Sequence, residues 1–484
     1  MSNVRSLEPT ILWNHFADLN AIPRPSKKEE KVIAFMKNFG ESLKLETKVD
    51  QAGNVIIKKP ATPGMEDRET IVMQSHLDMV HQKNADTAFD FSSQGIDMFV
   101  DGDWVKAKGT TLGADNGIGV AAIMSLLSSS DIPHPAIEAL FTIDEETGMT
   151  GAKELKGGLL HGKIMLNLDT EEDTDLTIGC AGGIDVTATG TYATEPNTHD
   201  TAIRISVKGL TGGHSGTEIH LGRGNANKLM NRLLSRLATE CNIGIQSIDG
   251  GSLRNAIPRE SVAVITFSSN NAAQVNAILS EMRGIFKSEY SHTDPNLDIV
   301  SEQTEKPATV MSQSFRDNFL NAVYACPNGI YRMTPTIEGL VQTSNNVARI
   351  LVKDGSYTVQ CLTRSSVNSE KMDLAEAIRS TYRLCGAQVS FSGEYPGWEP
   401  KPDAAIIKIM TETYSELFGG HAHVNAIHAG LECGIIGANY PEMQMISFGP
   451  NIYGAHSPDE RAQISSVQKF WKYLLEVLKR VPKR

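Results

Sequence analysis

Cysteine is scarce and scattered. Six residues, Cys180, Cys241, Cys326, Cys361, Cys385 and Cys433, are spread over 484 positions with no Cys-x-x-Cys pair. This argues against a disulfide framework and predicts buried, reduced thiols. Positive charge is in deficit as well: 45 Lys and Arg against 57 Asp and Glu give −12 at pH 7. That argues against a general nucleic-acid or anionic-membrane binder, which needs a basic surface. No long apolar run occurs. The most apolar stretch, GIGVAAIMSLL from Gly117, is too short to span a bilayer, and MSNVRSLEPT lacks a signal-peptide pattern. Low-complexity segments and long linkers are absent. These absences predict a cytoplasmic globular protein with no membrane or nucleic-acid partner.

What is present fits that class: 40% hydrophobic and 21% charged residues over 484 positions, enough for about three domain-sized units and a large core. LEPTILWNHFADLN and KKEEKVIAFMKNFGESL carry apolar residues at helical spacing, and LETKVDQAGNVIIKK reads as a hairpin turning at Gly53. TIVMQSHLD, IEALFTIDEE and KIMLNLD are short runs apolar on both faces, as strands covered by helices are. Between the first two, DNGIGVAAIMSLLSSS predicts a helix that Asp115 or Asn116 can cap. This alternation points to an α/β sheet.

The pattern changes after about residue 186. Strand, helix, strand, strand, helix, strand predicts an α+β unit, and NVARILVKDGSYTVQCLTRSS followed by MDLAEAIRSTYRLCG echoes it as a second, related unit. EYPGWEPKPD forms a junction, after which AAIIKIMTETYSELFG and MQMISFGP restore the α/β character. The expected architecture is a discontinuous α/β domain, residues 1–186 and 396–484, with an inserted α+β lid, 187–395. Hinge motion is expected near residues 186 and 395.

Ligands of open α/β sheets bind beyond the carboxyl ends of the strands. The polar residues placed there are His76 and Asp78, Glu145 and Glu146, and Asp169; Asp115 enters a helix, and His456 follows the late strand. His76, Asp115, Glu146, Asp169 and His456 form a nitrogen/oxygen donor set suited to zinc, cobalt or manganese. Five donors are too many for one catalytic ion with an open position. They suit two ions sharing a carboxylate, a pair that sits about 3.5–4 Å apart and activates water. Asp78, two residues from His76 on a strand, lies on the same side and can orient the imidazole. Glu145 and Glu146 cannot point the same way within a strand, but a turn at its end lets one bind metal while the other acts as a general base. Singly, Asp115 reads equally as a helix cap, Asp169 as part of an acidic turn and His456 as a loop histidine. Their joint placement makes the metal reading.

SHLDMV, GADNGIG, DEETGMTGA, LNLD and GAHSPDE, in this order, resemble the co-catalytic zinc peptidases related to carboxypeptidase G and aminoacylase. Over the whole length, including the long lid, the chain is similar to the dipeptidases of that family, through LEPTILWNHFADLNAIPRPS, TGGHSGTEIHLGRGNA, SLRNAIPRE and HAGLECG. The resemblance implies two Zn2+ per chain, with Co2+ or Mn2+ as substitutes: His76 and Asp169 on one, Glu146 and His456 on the other, Asp115 bridging. It further implies Asp78 as orienting residue and Glu145 as general base. His214 in GGHSG would steady the oxyanion, and Asn255, Arg364 and Gly430 would contact substrate. Read without the resemblance, these four are a buried hydrogen-bonding histidine, a turn asparagine, a surface arginine and a turn glycine. The implied activity is hydrolysis of dipeptides with free termini, Xaa-His types such as β-alanyl-histidine included. An N-acyl amino-acid deacylase or tripeptidase would use the same chemistry, and a non-catalytic metal-binding protein could keep the fold. The family includes homodimers, although a doubled lid can replace a partner subunit.

Overall fold

Strands Ile71–His76, Ile137–Thr142 and Ile164–Asn167 are buried at every position, which only a sheet covered on both faces allows. They are the centre of an eight-stranded sheet in the computed structural model, which describes residues 4–484. Across the sheet the strands run Glu46–Val49, Val55–Lys59, Ile137–Thr142, Ile71–His76, Ile164–Asn167, Gln444–Ser447, Asp175–Cys180 and His423–Ile427. The four strands from Ile137–Thr142 to Gln444–Ser447 are mutually parallel, and antiparallel strands flank them. Register aligns His76 with Thr142, Gln74 with Asn167, and Asn167 with Ser447, so the carboxyl ends of all four strands share one edge. The outer hairpin turns where sequence placed it: Gly53 has φ 108°, and Asp50 accepts from the backbone of Ala52, Gly53 and Asn54.

Helices Thr10–Asn20, Glu30–Ser42, Ala114–Ser128, Ala405–Phe418 and Ile464–Arg480 belong to this first unit, which comprises Met1–Gly179, Trp398–Ala426 and Leu431–Arg484. Ile464–Arg480 buries Ile464, Val467, Phe470, Trp471, Leu474, Val477 and Leu478, a helical stripe against the core. Ala114–Ser128 is buried nearly all round and packs on Thr10–Asn20 and on strand Ile71–His76. Its start departs from expectation. Asp115 (ψ 110°) and Asn116 are non-helical, and neither side chain caps the helix. Asn116 instead donates to the Leu168 carbonyl, and Asp115 is engaged elsewhere.

The second unit, Cys180–Gly397 with Ile427–Gly430, is built on one antiparallel sheet. Its strands run Asp298–Gln303, Thr201–Lys208, Ser261–Phe267 and Gly244–Gly250, then Val341–Lys353, Ser356–Ser365, Gly182–Thr191 and Gln388–Tyr395. Chain order gives the two halves the same topology, joined where Ile248 pairs with Val352. The leading strand of the second half, Gly182–Thr191, precedes the whole first half in sequence, so the first half is inserted into the second. Helices Ala226–Cys241, Ala272–Glu289, Gln313–Ala325 and Asn368–Arg383 contribute Leu233, Leu237, Phe286, Phe319 and Ile378 to the core of this unit. The buried Cys326 and Cys361 lie in it as free thiols. Among the described residues no helix is long and apolar enough to cross a membrane.

Candidate active site

The shared strand edge of the first unit gathers the predicted donors. The Nε2 atom of His76 lies 3.1 Å from Asp115 Oδ1 and 3.4 Å from Asp169 Oδ1. That of His456 lies 2.9 Å from Glu146 Oε2 and 3.4 Å from Asp115 Oδ2. Asp115 thus gives one carboxylate oxygen to each imidazole. Donor atoms of His76, Asp115 and Asp169 lie within 4.8 Å of one another, as do those of Asp115, Glu146 and His456.

Asp78 holds two parts of the site together. Its Oδ1 is 3.4 Å from His76 Nδ1, on the ring side away from Asp115. The same carboxylate accepts from the backbone N–H of Glu145 (3.0 Å) and Glu146 (3.3 Å) and from the Ser26 hydroxyl (2.7 Å). The strand has ended at Thr142, and Asp144 takes φ 55°, a left-handed turn fixed by hydrogen bonds from Lys27, Thr147 and Thr150. That turn removes the alternation a strand would impose. Glu145 and Glu146 both bring a carboxylate oxygen within 4.8 Å of the His76 ring. His456 is also left-handed (φ 67°), a strained conformation for a side chain other than glycine.

The electrostatics report a shortage of positive charge. Hydrogen bonds to Asp115 and Glu146 push His456 up to about 11. Burial opposes charge on His76, yet Asp169, Asp115 and Asp78 outweigh it and hold its pKa well above the usual value. Burial raises Asp169 to about 6, with Asp115 and Glu146 adding to the effect, and burial raises Glu145 too. The pull of these carboxylates on a proton is the pull they exert on a metal cation. Two of their oxygens, Glu146 Oε1 and Asp169 Oδ1, are buried and accept no hydrogen bond. A buried carboxylate oxygen without a hydrogen-bond donor in each imidazole–carboxylate set fits a divalent transition metal.

The remaining predicted residues belong to the second unit. The Nδ1 atom of His214 accepts from the backbone N–H of Gly216 (3.2 Å) and Thr217 (3.1 Å). The ring proton therefore sits on Nε2, which is left as a donor. Arg364 is buried rather than on the surface. Its Nη1 donates to Tyr395 Oη at 2.8 Å, and its Nε has no acceptor. Gly216 marks where these groups converge: a Cβ there would lie 2.3 Å from the His428 carbonyl oxygen, 3.0 Å from His214 Cε1 and 3.1 Å from Arg364 Nε. Asn255 is exposed, with its carbonyl accepting from Ser215 N–H beside His214. Gly430 ends the short segment Ile427–Gly430 that returns to this unit.

Several residues had no role in the sequence reading. His428 is buried, its Nε2 2.7 Å from Ser344 Oγ, and burial with Arg364 and His214 nearby pushes it down to about 3, so it is neutral. Glu432 accepts from Gln74 and Thr142, each at 2.7 Å, beneath the strand ends. Arg24 and Glu460 are buried around the Asp115 segment. His428 and Glu432 fall within HAGLECG and Glu460 within GAHSPDE, so the signal was the motif itself.

The model of peptidase family M20/M25/M40 matches residues 72–480. Cytosol non-specific dipeptidase of Escherichia coli (strain K12) is 41% identical over 484 residues, covering 100% of both chains. The crystal structure of aminoacylhistidine dipeptidase from Vibrio alginolyticus superposes with a TM-score of 0.95 at 42% identity, over 100% of this chain and 99% of that one. A tripeptidase from Staphylococcus aureus, 18% identical over 98% of this chain and 99% of its own, shares the fold at a TM-score of 0.56.

Proposed function

The chain belongs to peptidase family M20/M25/M40 and is a metal-dependent dipeptidase of that family, and we propose that it cleaves dipeptides with free termini, β-alanyl-histidine among them, using two zinc ions. The observation that carries this reading is Asp115, whose two carboxylate oxygens face two separate imidazole–carboxylate sets. His76 and Asp169 would hold one ion, Glu146 and His456 the other, with Asp115 shared. Zinc suits this nitrogen/oxygen set, and cobalt or manganese can replace it. A metal pair held there supplies Lewis acidity to the scissile carbonyl and lowers the pKa of a water.

The chain's own groups do the rest. The Asp78 carbonyl accepts from His76 Nδ1 at 3.2 Å, with the Asp78 carboxylate beside it at 3.4 Å, which fixes the ring with Nε2 toward Asp115 and Asp169. Glu145 takes the proton of the attacking water and returns it to the leaving amine. His214 donates from Nε2 to the carbonyl oxygen as it gains charge. Arg364, with an unused Nε–H, pairs with the substrate carboxylate, and Asn255 and Gly430 complete the grip. A nearby carboxylate requirement limits substrates to very short peptides. Arg364→Lys is expected to lose the planar donor pair at a cost of about 1.5–3 kcal/mol, roughly 10–100-fold in kcat/KM, mostly through KM. Steady-state kinetics on β-alanyl-histidine read this directly, and an unchanged KM removes Arg364 from the substrate.

The decisive test compares β-alanyl-histidine with its N-acetylated form. Protein stripped by a chelator should cleave neither, and zinc should restore cleavage of the free-amine substrate only. Preferential hydrolysis of the acetyl amide would move the protein to the deacylase reading. We place the protein in the cytoplasm, and sedimentation decides between a monomer and the homodimer that the resemblance allows.

A further inference from the structure

We propose that Glu460 and Arg24 form a buried brace that positions Asp115 for metal binding, an inference that rests on the two-metal reading above. The Glu460 carboxylate is 2% exposed and spends both oxygens on one stretch of backbone. Its Oε2 accepts from the N–H of Leu112 (2.7 Å) and Gly113 (2.9 Å), and its Oε1 from those of Ala114 (2.7 Å) and Asp115 (3.2 Å). Four consecutive amides thus converge on one anion, a concave donor array that only a carboxylate fills with acceptors alone.

Arg24 grips the same stretch from its carbonyl side. Its Nη2 donates to Gly113 O at 2.6 Å and to Asn20 Oδ1 at 2.9 Å. Its Nη1 donates to Leu77 O at 3.0 Å and Asp78 O at 3.1 Å, the segment that follows His76. The guanidinium is fully buried, and side chains at Gly113 or Gly117 would collide with it: a Cβ at either would lie 2.5 or 2.7 Å from Nη2. Arg24 therefore ties the His76 strand end to the Asp115 segment.

Glu460 adds the third partner. It follows His456 by four residues, and the loop between them is closed by Glu460 N–H on Ser457 O (3.1 Å) and by Ser457 Oγ on Gly454 O (2.8 Å). Anchoring Glu460 to the 112–115 backbone therefore sets the His456 ring against Asp115. Three donors from three separate parts of the chain, His76, Asp115 and His456, are held in register by two side chains that touch none of the reacting atoms. Glu460 and Arg24 are positioning residues.

The test uses the full-length protein and variants Glu460→Gln, Glu460→Ala and Glu460→Asp, titrated with Zn2+ against a chromophoric chelator at matched folded fraction by circular dichroism. Glu460→Gln keeps the volume but turns an amide NH2 toward backbone donors. We expect it to weaken the more loosely held zinc by about 10–100-fold, with a matching fall in kcat and little change in KM. Glu460→Asp, which keeps both acceptors, should recover part of the affinity. Glu460→Gln with wild-type zinc affinity and kcat overturns the proposal. So does a Glu460→Gln protein that stays unfolded in saturating zinc, because the residue then serves the fold as a whole. A wild-type protein that binds no zinc and cleaves no dipeptide would instead overturn the two-metal reading.

Discussion

Replacing Glu145 by glutamine is expected to lower kcat by about 100- to 10,000-fold and to leave the metal content unchanged. The substitution keeps the shape of the side chain and removes its ability to take a proton. It leaves the main chain alone, where the Glu145 N–H donates to Asp78 at 3.0 Å, so the turn that also presents Glu146 stays in place. KM should move little, because Arg364 and His214 carry the proposed substrate contacts. Glu145→Asp separates charge from reach: it keeps the base but withdraws it by a methylene, and a loss of about 100-fold is expected from that displacement. Metal analysis beside steady-state kinetics gives the answer. Full activity in Glu145→Gln would remove the residue from the proton path, and loss of metal would make it a ligand.

The donor set was legible in sequence because each member sits at a point where local pattern is strong. His76, Thr142 and Asn167 end strands whose short apolar runs read as covered on both faces, and register brings the residues that follow to one edge. Asp78 was legible by the two-residue period of a strand. The Glu145–Glu146 pair was legible only in part: sequence shows that a regular strand forbids both facing the same way, but not the left-handed Asp144 that resolves it. Neither Asp115 nor Asn116 caps the helix, because long-range partners take their side chains: Asn116 donates to the Leu168 carbonyl and the Asp115 carboxylate lies against His76 and His456, while the first helical amides, those of Ala114 and Asp115, donate to Glu460. Glu460 lies some 345 positions away from that helix start, and no window of local sequence carries that pairing. The same holds for Arg364. A charged residue on a half-polar strand reads as surface, whereas the structure buries it to 4% exposure beside Tyr395. Nor does sequence show that Ile427–Gly430 returns to the second unit, since four residues are too few for any periodicity.

Asp115→Ala is expected to have the largest effect on metal loading. One carboxylate serves both imidazole sets, with Oδ1 3.1 Å from His76 and Oδ2 3.4 Å from His456, so its loss removes a donor from each side at once. Losing an interaction of about 4–5 kcal/mol corresponds to roughly 1,000-fold or more in kcat/KM. Asp115→Asn is the sharper probe. It keeps one oxygen and presents an NH2 to the other side, so the substitution should act on the two sites unequally. One ion should stay near wild-type affinity while the other weakens. Thermal denaturation reads this independently of turnover: binding stabilises by RT ln(1 + [L]/Kd), so the rise in Tm on adding zinc should be nearly lost in Asp115→Ala and reduced in Asp115→Asn. His76→Ala and His456→Ala should each affect mainly the set they belong to, and their effects should not add to that of Asp115→Ala, because that variant already disables both. Additive losses would show two independent sites, and Asp115 would then not be shared between them.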